Sequence, residues 1–279
     1  MTGRFKSASL SVRIGSALVA ATGLIAIGWW FREFGLQFVC LLAIALMVRE
    51  FLRLSLEALN APKTLVIWYY LVAIGLVLGM YRADGDLLVV VLAFTAYLSG
   101  AIWLTRNRMP NDRLLASLAL GLLGLILCVV FPFFEIETLR LPNGLGWFGL
   151  HLLVVFGGDV CAYFGGIVFG KKKLMPNISP KKTVVGSYAG LAGSLSLGLA
   201  YSMVTLPARP LWQVAVFCLV CGFTAQMGDL LLSLIKRVAD VKDSGAMMPG
   251  HGGILDRLDG VIVTCPLIYA FALASETFL

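Results

Sequence analysis

DLLVVVLAFTAYLSGAIWLT, residues 86–105, carries no charged side chain beyond Asp86 at its start and is followed by Arg106. At about 1.5 Å per residue such a run reaches across the ~30 Å hydrocarbon core of a bilayer, and it is too long to be an ordinary buried strand. Comparable runs recur on both sides, near 13–31, 35–55, 64–81, 114–134, 145–169, 184–206, 210–235 and 255–278. The whole chain is 59% hydrophobic and 13% charged with a mean hydropathy of +0.92, whereas soluble domains have about 45–50% apolar and about 25% charged residues. The sequence therefore predicts an all-α polytopic membrane bundle of about nine transmembrane helices, with little chain left for a soluble domain.

Lys and Arg accumulate in the cytoplasmic loops of membrane proteins. With the N-terminus cytoplasmic and the C-terminus outside, only Arg32, Arg82, Arg140 and Arg209 of the 22 basic residues fall on the outer side. The net charge of +7 thus reflects orientation and contact with anionic membrane lipids; it forms no aromatic-interleaved patch, so no nucleic-acid partner is expected. All six Cys lie in apolar runs, which excludes a disulfide framework. A short basic stretch precedes the first run, but that run extends to Trp29, Trp30 and Phe31, too far for a signal peptide, so an uncleaved first helix is expected.

The acidic residues divide the chain. Through the fifth run they sit at expected helix ends or in loops, including Glu33, Glu50, Glu135 and Glu137, where solvation accounts for them. Asp159 and Asp229 instead fall within spans, where a carboxylate needs a partner, water or a metal. Residues 1–143 are accordingly expected to be transmembrane scaffold helices, and 144–279 a transmembrane catalytic region with cytoplasmic loops.

Within that region, Asp229, Ser233, Lys236 and Arg237 share one helix face, with Asp229 about 10 Å below the basic end. Lys242-Asp243-Ser244-Gly245, Pro249-Gly250-His251-Gly252-Gly253 and Asp256-Arg257 follow, then Asp259. Glycines admit close backbone approach and a helix N-terminus offers amides, so the turn through Gly252 and Gly253 reads as a phosphate cradle. Asp256 and Asp259 lie in the first turn of the last helix, where capping accounts for one of them; together with Asp229 they exceed what capping needs. Carboxylates beside phosphate-binding cations suit Mg²⁺. His251 lacks a second nearby His for zinc and is read as a phosphate donor, an orienter of an Asp, or a turn-stabilising residue. The segment GKKKLMPNISPKKTVVG, residues 170–186, adds Lys181 and Lys182 on the same side. It is either a solvated positive-inside loop or a phosphate-binding cover over the site.

The pattern S-x-x-K-R-x-x-x-x-K-D-x-G-x-x-x-P-G-H-G-G-x-x-D-R-x-D, Ser233 to Asp259, resembles the signature of the phosphatidate cytidylyltransferases, or CDP-diacylglycerol synthases. Asp159 to Lys171 and Ile178 to Thr183 are similar to that family's second block. Val185 stands where the family usually has Glu, Val160-Cys161 where Thr-Gly is common, and Gly260 where Ser often follows the last Asp. The resemblance implies that CTP and phosphatidate yield CDP-diacylglycerol and pyrophosphate in the bacterial cytoplasmic (inner) membrane, at a site facing the cytoplasm. It also implies a homodimer and a divalent cation, Mg²⁺, with a second, monovalent cation as a further candidate. On that reading Asp229 and Asp256 hold metal, with Asp159 and Asp259 as weaker metal candidates. Lys181, Lys182, Lys236, Arg237, Lys242, His251 and Arg257 bind phosphates. A secondary transporter would need matching features in two repeats, and the first half has no counterpart of Asp159, Asp229 or PGHGG. A CTP-dependent polyprenol or phytol kinase would release CDP instead of pyrophosphate.

Overall fold

The computed structural model describes residues 10–106, 108–206, 209–245 and 252–277. Within them, eight helical segments are long and apolar enough to cross a membrane. They are α1 (Leu10–Leu52), α2 (Lys63–Arg82), α3 (Leu87–Thr105), the run Asn111–Arg140, α6 (Gly144–Phe169), α7 (Val184–Thr205), α8 (Leu211–Val238) and α9 (Leu255–Thr277). The run Asn111–Arg140 comprises α4 (Asn111–Leu125), a π-helical turn (Ile126–Val130) and α5 (Phe131–Arg140). Helix starts follow local chemistry. Pro62, Pro110 and Pro210 precede α2, α4 and α8, Asp86 accepts from Leu88 N at 2.9 Å, and Thr183 accepts from Gly186 N at 3.1 Å.

The first two expected spans, 13–31 and 35–55, meet in α1 as two helices joined across a kink at Arg32 (φ 49°, ψ −141°), with no loop between them. The bend is sharp: a Cβ on Gly35 would lie 2.8 Å from Ile27 Cγ2, although an unbroken helix holds residues eight apart at about 12 Å. The charges of Arg32 and Glu33 divide the apolar pattern into two, while helical structure resumes directly beyond the bend. A second difference is a small antiparallel hairpin, β1 (Lys173–Met175) with β2 (Ser179–Thr183), inside an otherwise helical chain.

Two apolar cores form. The larger gathers α1, α2, α3 and the π-helical turn around Phe51, Tyr69, Tyr97 and Leu125, and includes Leu232, Ile235, Leu255 and Ile262 from α8 and α9. The smaller joins α6, α8 and α9 through Trp147, Val154, Phe217 and Ile268. Between α6 and α7 the contact is made by small residues: a Cβ on Gly186 would meet Ala162 O at 2.8 Å, and one on Gly190 would meet Ala162 Cβ at 3.0 Å. Such seams let backbones approach closely where apolar burial gives no preference over lipid.

At one end of the bundle Arg140 reaches Asp84 at 3.5 Å, Asn143 Nδ2 donates to Thr205 O at 3.2 Å, and Arg209 donates to Ser275 O. The opposite end carries the β1–β2 hairpin and the segment between α8 and α9, and the expected site residues lie there.

Candidate active site

Asp159 of α6, Asp229 of α8 and Asp259 of α9 are close enough to interact electrostatically with one another. Packing brings them together: the small-residue seam sets α7 and the adjoining hairpin against α6, and Gly228 lets α8 pass within 2.6 Å of Asp259 O, measured from where its Cβ would stand. Two cations sit among the acids. Lys182, from β2, places Nζ 2.5 Å from Asp229 Oδ2, and Lys236 places Nζ 2.6 Å from Asp256 Oδ1. Asp229 Oδ1 also accepts from Ser233 Oγ at 3.3 Å, as their four-residue spacing on α8 requires. The Asp229 side chain is 31% exposed, so its carboxylate opens outward from the bundle.

Asp256 is held differently. Its side chain is 8% exposed, and Oδ2 accepts from Ser244 N at 2.7 Å, Ser244 Oγ at 2.9 Å and Gly253 N at 3.0 Å. Beside it lies a residue that the sequence reading had placed in solvent. Glu50, at the end of α1, is 4% exposed, accepts from Ile254 N at 3.0 Å and Leu255 N at 2.9 Å, and lies 3.0 Å from Ser244 Oγ. Two carboxylates therefore occupy the amides at the start of α9. Of the expected phosphate cradle, Gly253 gives its N–H to Asp256 instead, and Pro249, Gly250 and His251 lie outside the described residues. Gly252 (φ 78°) and Gly253 are required because a Cβ would lie 2.7 Å from Asp256 Oδ2 or 2.2 Å from Glu50 Oε2, respectively.

The hairpin lies against the same site. Arg237 Nε donates to Ile178 O at 3.4 Å, tying the β1–β2 turn to the end of α8, while Lys182 spans to Asp229. Lys181, Lys242 and Arg257 are exposed. His251 lies outside the described residues. Gln226 of α8 and Ser187 of α7, which the sequence reading did not single out, join by a Ser187 Oγ to Gln226 Oε1 contact and by Gln226 Nε2 donating to Ser187 O at 3.1 Å.

The sequence did hold a signal for Glu50. Ile44, Met47, Phe51 and Leu54 are all buried, and Glu50 falls three residues after Met47 and four before Leu54, on the same inward stripe. Reading it by its distance from a helix end concealed that face. Glu135 and Glu137 are likewise corrected from solvated to buried, because α5 is enclosed on nearly every side.

The acids offer hard oxygen donors, and the ammonium groups of Lys182 and Lys236 already stand as cations against Asp229 and Asp256, so the residues fit a divalent ion of magnesium type. The surrounding Lys and Arg suit polyphosphate.

Residues 11–274 match the cytidylyltransferase family. The phosphatidate cytidylyltransferase of Brucella suis biovar 1 (strain 1330) is 33% identical over 274 residues, covering 94% of this chain and 93% of that protein. The enzyme of the same name from Bacillus subtilis (strain 168) is 40% identical over 137 residues, 49% of this chain and 51% of its own. That of Mycobacterium tuberculosis (strain ATCC 25618 / H37Rv) is 40% identical over 123 residues, 43% of this chain and 36% of its own.

Proposed function

The chain belongs to the cytidylyltransferase family, and from that premise we propose how its residues divide the work. It is a multi-pass membrane enzyme that makes CDP-diacylglycerol from CTP and phosphatidate. We place the reaction at the end of the bundle where Asp159, Asp229 and Asp259 face one another, open to the cytoplasm of a bacterial inner membrane. Phosphatidate keeps its acyl chains in the bilayer and its phosphate at headgroup depth, while CTP arrives from water. A polar notch at one end of the helices serves both.

In the reaction an oxygen of the phosphatidate phosphate bonds to the α-phosphorus of CTP, and the bond from that phosphorus to the bridging β-oxygen breaks, releasing pyrophosphate. A phosphate monoester is already a nucleophile near neutral pH, so the chain needs no strong general base. Its task is to bring two anions together. Lys236, aimed by Asp256, and Lys182, Lys181, Arg237, Lys242 and Arg257 offset their repulsion. Mg²⁺, when bound, supplies Lewis-acid stabilisation of the transferring phosphoryl group. Asp229, with Asp159 and Asp259 beside it, would hold that ion. Asp256, whose Oδ2 already accepts three hydrogen bonds, offers only its Oδ1 side, now taken by Lys236. Ser244 and Glu50 keep the Asp256 clamp in position. A monovalent second ion and a homodimer rest on the family resemblance.

The observation that carries this division is the convergence of three acids from α6, α8 and α9 with two lysines between them. The test is purified protein with phosphatidate, CTP and Mg²⁺, with products followed by labels on the α- and γ-phosphates. CDP-diacylglycerol and pyrophosphate are expected. CDP with a phosphorylated lipid alcohol would mark a kinase, and full turnover by Asp229→Asn would remove the acid assignment.

A further inference from the structure

A second set of ligating side chains meets inside the bundle. Glu135 (α5), His151 (α6) and Cys265 (α9) are all buried, and one ligand atom from each lies within 4.8 Å of the others. Cys40 of α1 and Cys221 of α8 are near enough to interact electrostatically with Glu135. His151 and Asp159 are eight residues apart on α6, so about 12 Å of helix rise separates this cluster from the catalytic acids.

The hydrogen bonding is incomplete. Among the described residues, Glu135 Oε1 is buried without a hydrogen-bond partner. His151 Nδ1 stands 2.7 Å from Glu135 Oε2, and Nε2 stands 2.7 Å from Thr264 Oγ1. Thr264 has one hydroxyl hydrogen, and helical threonines give it to the preceding turn; here Gly260 O lies at 2.8 Å. Nε2–H is then the donor to Thr264, which leaves the Nδ1 lone pair directed at a carboxylate oxygen. Two lone pairs at that separation need a cation between them. Either a second imidazole proton or a metal supplies it.

A metal also answers the orphaned oxygen. We infer that Glu135, His151 and Cys265 form a binding site for one zinc-class divalent ion, separate from the magnesium chemistry of the cytoplasmic end. One carboxylate, one thiolate and one neutral imidazole cancel a 2+ charge, as a low-dielectric interior requires. Mixed nitrogen, oxygen and sulfur donors suit zinc, whereas magnesium takes oxygen. Binding releases two protons to solvent, the Cys265 thiol proton and the one held between Nδ1 and Glu135 Oε2; it leaves the imidazole proton on Nε2 with Thr264 as its acceptor and opens the Nδ1···Oε2 contact around the ion.

The test uses the full chain in detergent, freed of metal by chelation and reloaded with Zn²⁺, or with Co²⁺ as a spectroscopic substitute. One equivalent of zinc per chain is expected, with tetrahedral cobalt bands and a thiolate-to-cobalt charge-transfer band. Cys265→Ser abolishes the charge-transfer band, and His151→Asn or Glu135→Gln weakens binding at least about tenfold. Asp229→Asn keeps both stoichiometry and spectrum, which separates this site from the catalytic one. Should the core variants unfold, wild-type protein still decides, since zinc stoichiometry, tetrahedral cobalt bands and the thiolate-to-cobalt charge-transfer band are read on it directly. Wild-type protein that takes up no zinc and gives only octahedral cobalt spectra, at saturating metal, overturns the site in favour of a proton shared by His151 and Glu135.

Discussion

Single carboxylates at the end of the bundle that carries the hairpin divide into those that face outward and those that hold the chain. Asp229, partly exposed and paired to a lysine from the hairpin, is of the first kind; Glu50 and Asp256, each surrounded by backbone amides, are of the second. Asp229→Asn should lower turnover at least about a hundredfold with little change in unfolding. Asp256→Asn should lower it as far and also destabilise the protein by about 3 kcal/mol, because a buried lysine loses its partner. Turnover and thermal unfolding of the two variants, measured side by side, check the difference. EDTA should abolish wild-type activity, and Mg²⁺ should restore it. Glu50→Ala leaves the amides of Ile254 and Leu255 unsatisfied, at a cost of about 2–4 kcal/mol, and Glu50→Gln should recover only part of it. Denaturant unfolding reads both, and a Glu50→Ala chain as stable as wild type would show that the clamp is dispensable. Asp159, Asp229 and Lys236 were legible from spacing alone, since intramembrane acids near cations have few structural explanations. Glu50 was not, because its partners lie about two hundred positions away in the chain and no local pattern names them.

Among the elements, helices were legible wherever charge punctuates hydrophobicity, as Asp86 and Arg106 do for α3. The same rule places a boundary between two helices at Arg32, where one residue's dihedrals absorb the whole change of direction. The β1–β2 hairpin escaped it entirely: three to five residues of Lys, Ser and Pro carry no strand periodicity, and the pairing comes from a short turn and from anchorage to Arg237. What places Lys182 at Asp229 is the α6–α7 seam, so a bulky residue there acts on catalysis at a distance. Gly186→Val presses a side chain against Ala162 O and the Thr183 cap, which should cost about 1–3 kcal/mol and reduce activity by displacing the hairpin. Gly75→Val on α2, where a Cβ meets nothing within 4 Å, is the control and should leave both stability and turnover near wild type. Equal losses in the two variants would mean that the seam has no special role.

At the scale of the molecule, two polar ends and one asymmetry of charge determine how the bundle sits. The end closed by Arg140 with Asp84, Asn143 with Thr205 and Arg209 with Ser275 is poor in cations; the end bearing Lys171–Lys173, Lys181, Lys182, Lys236, Arg237 and Lys242 is rich in them. Retention of Lys and Arg on the cytoplasmic side predicts that the cation-rich end faces the cytoplasm. Alkaline phosphatase fused after Leu141 should be active, and fused after Asp240 it should be inactive, with a fluorescent-protein fusion at each point giving the opposite pattern. The N-terminal arm is the sharper case, because α1 bends at Arg32 and the arm before the bend exposes Trp29, Trp30 and Phe31. If that arm crosses the bilayer, Arg4, Lys6 and Arg13 join the basic end; if it lies along the outer surface, they join Arg32 on the side that is otherwise depleted. The positive-inside rule favours crossing by three residues, so a protease site placed before Met1 should resist protease added to intact spheroplasts and be cut once the membrane is opened. Cleavage in intact spheroplasts would put the arm outside and make the bend at Arg32 a surface elbow, while the predicted orientation of the site, which rests on the loops after α6 and α8, would stand.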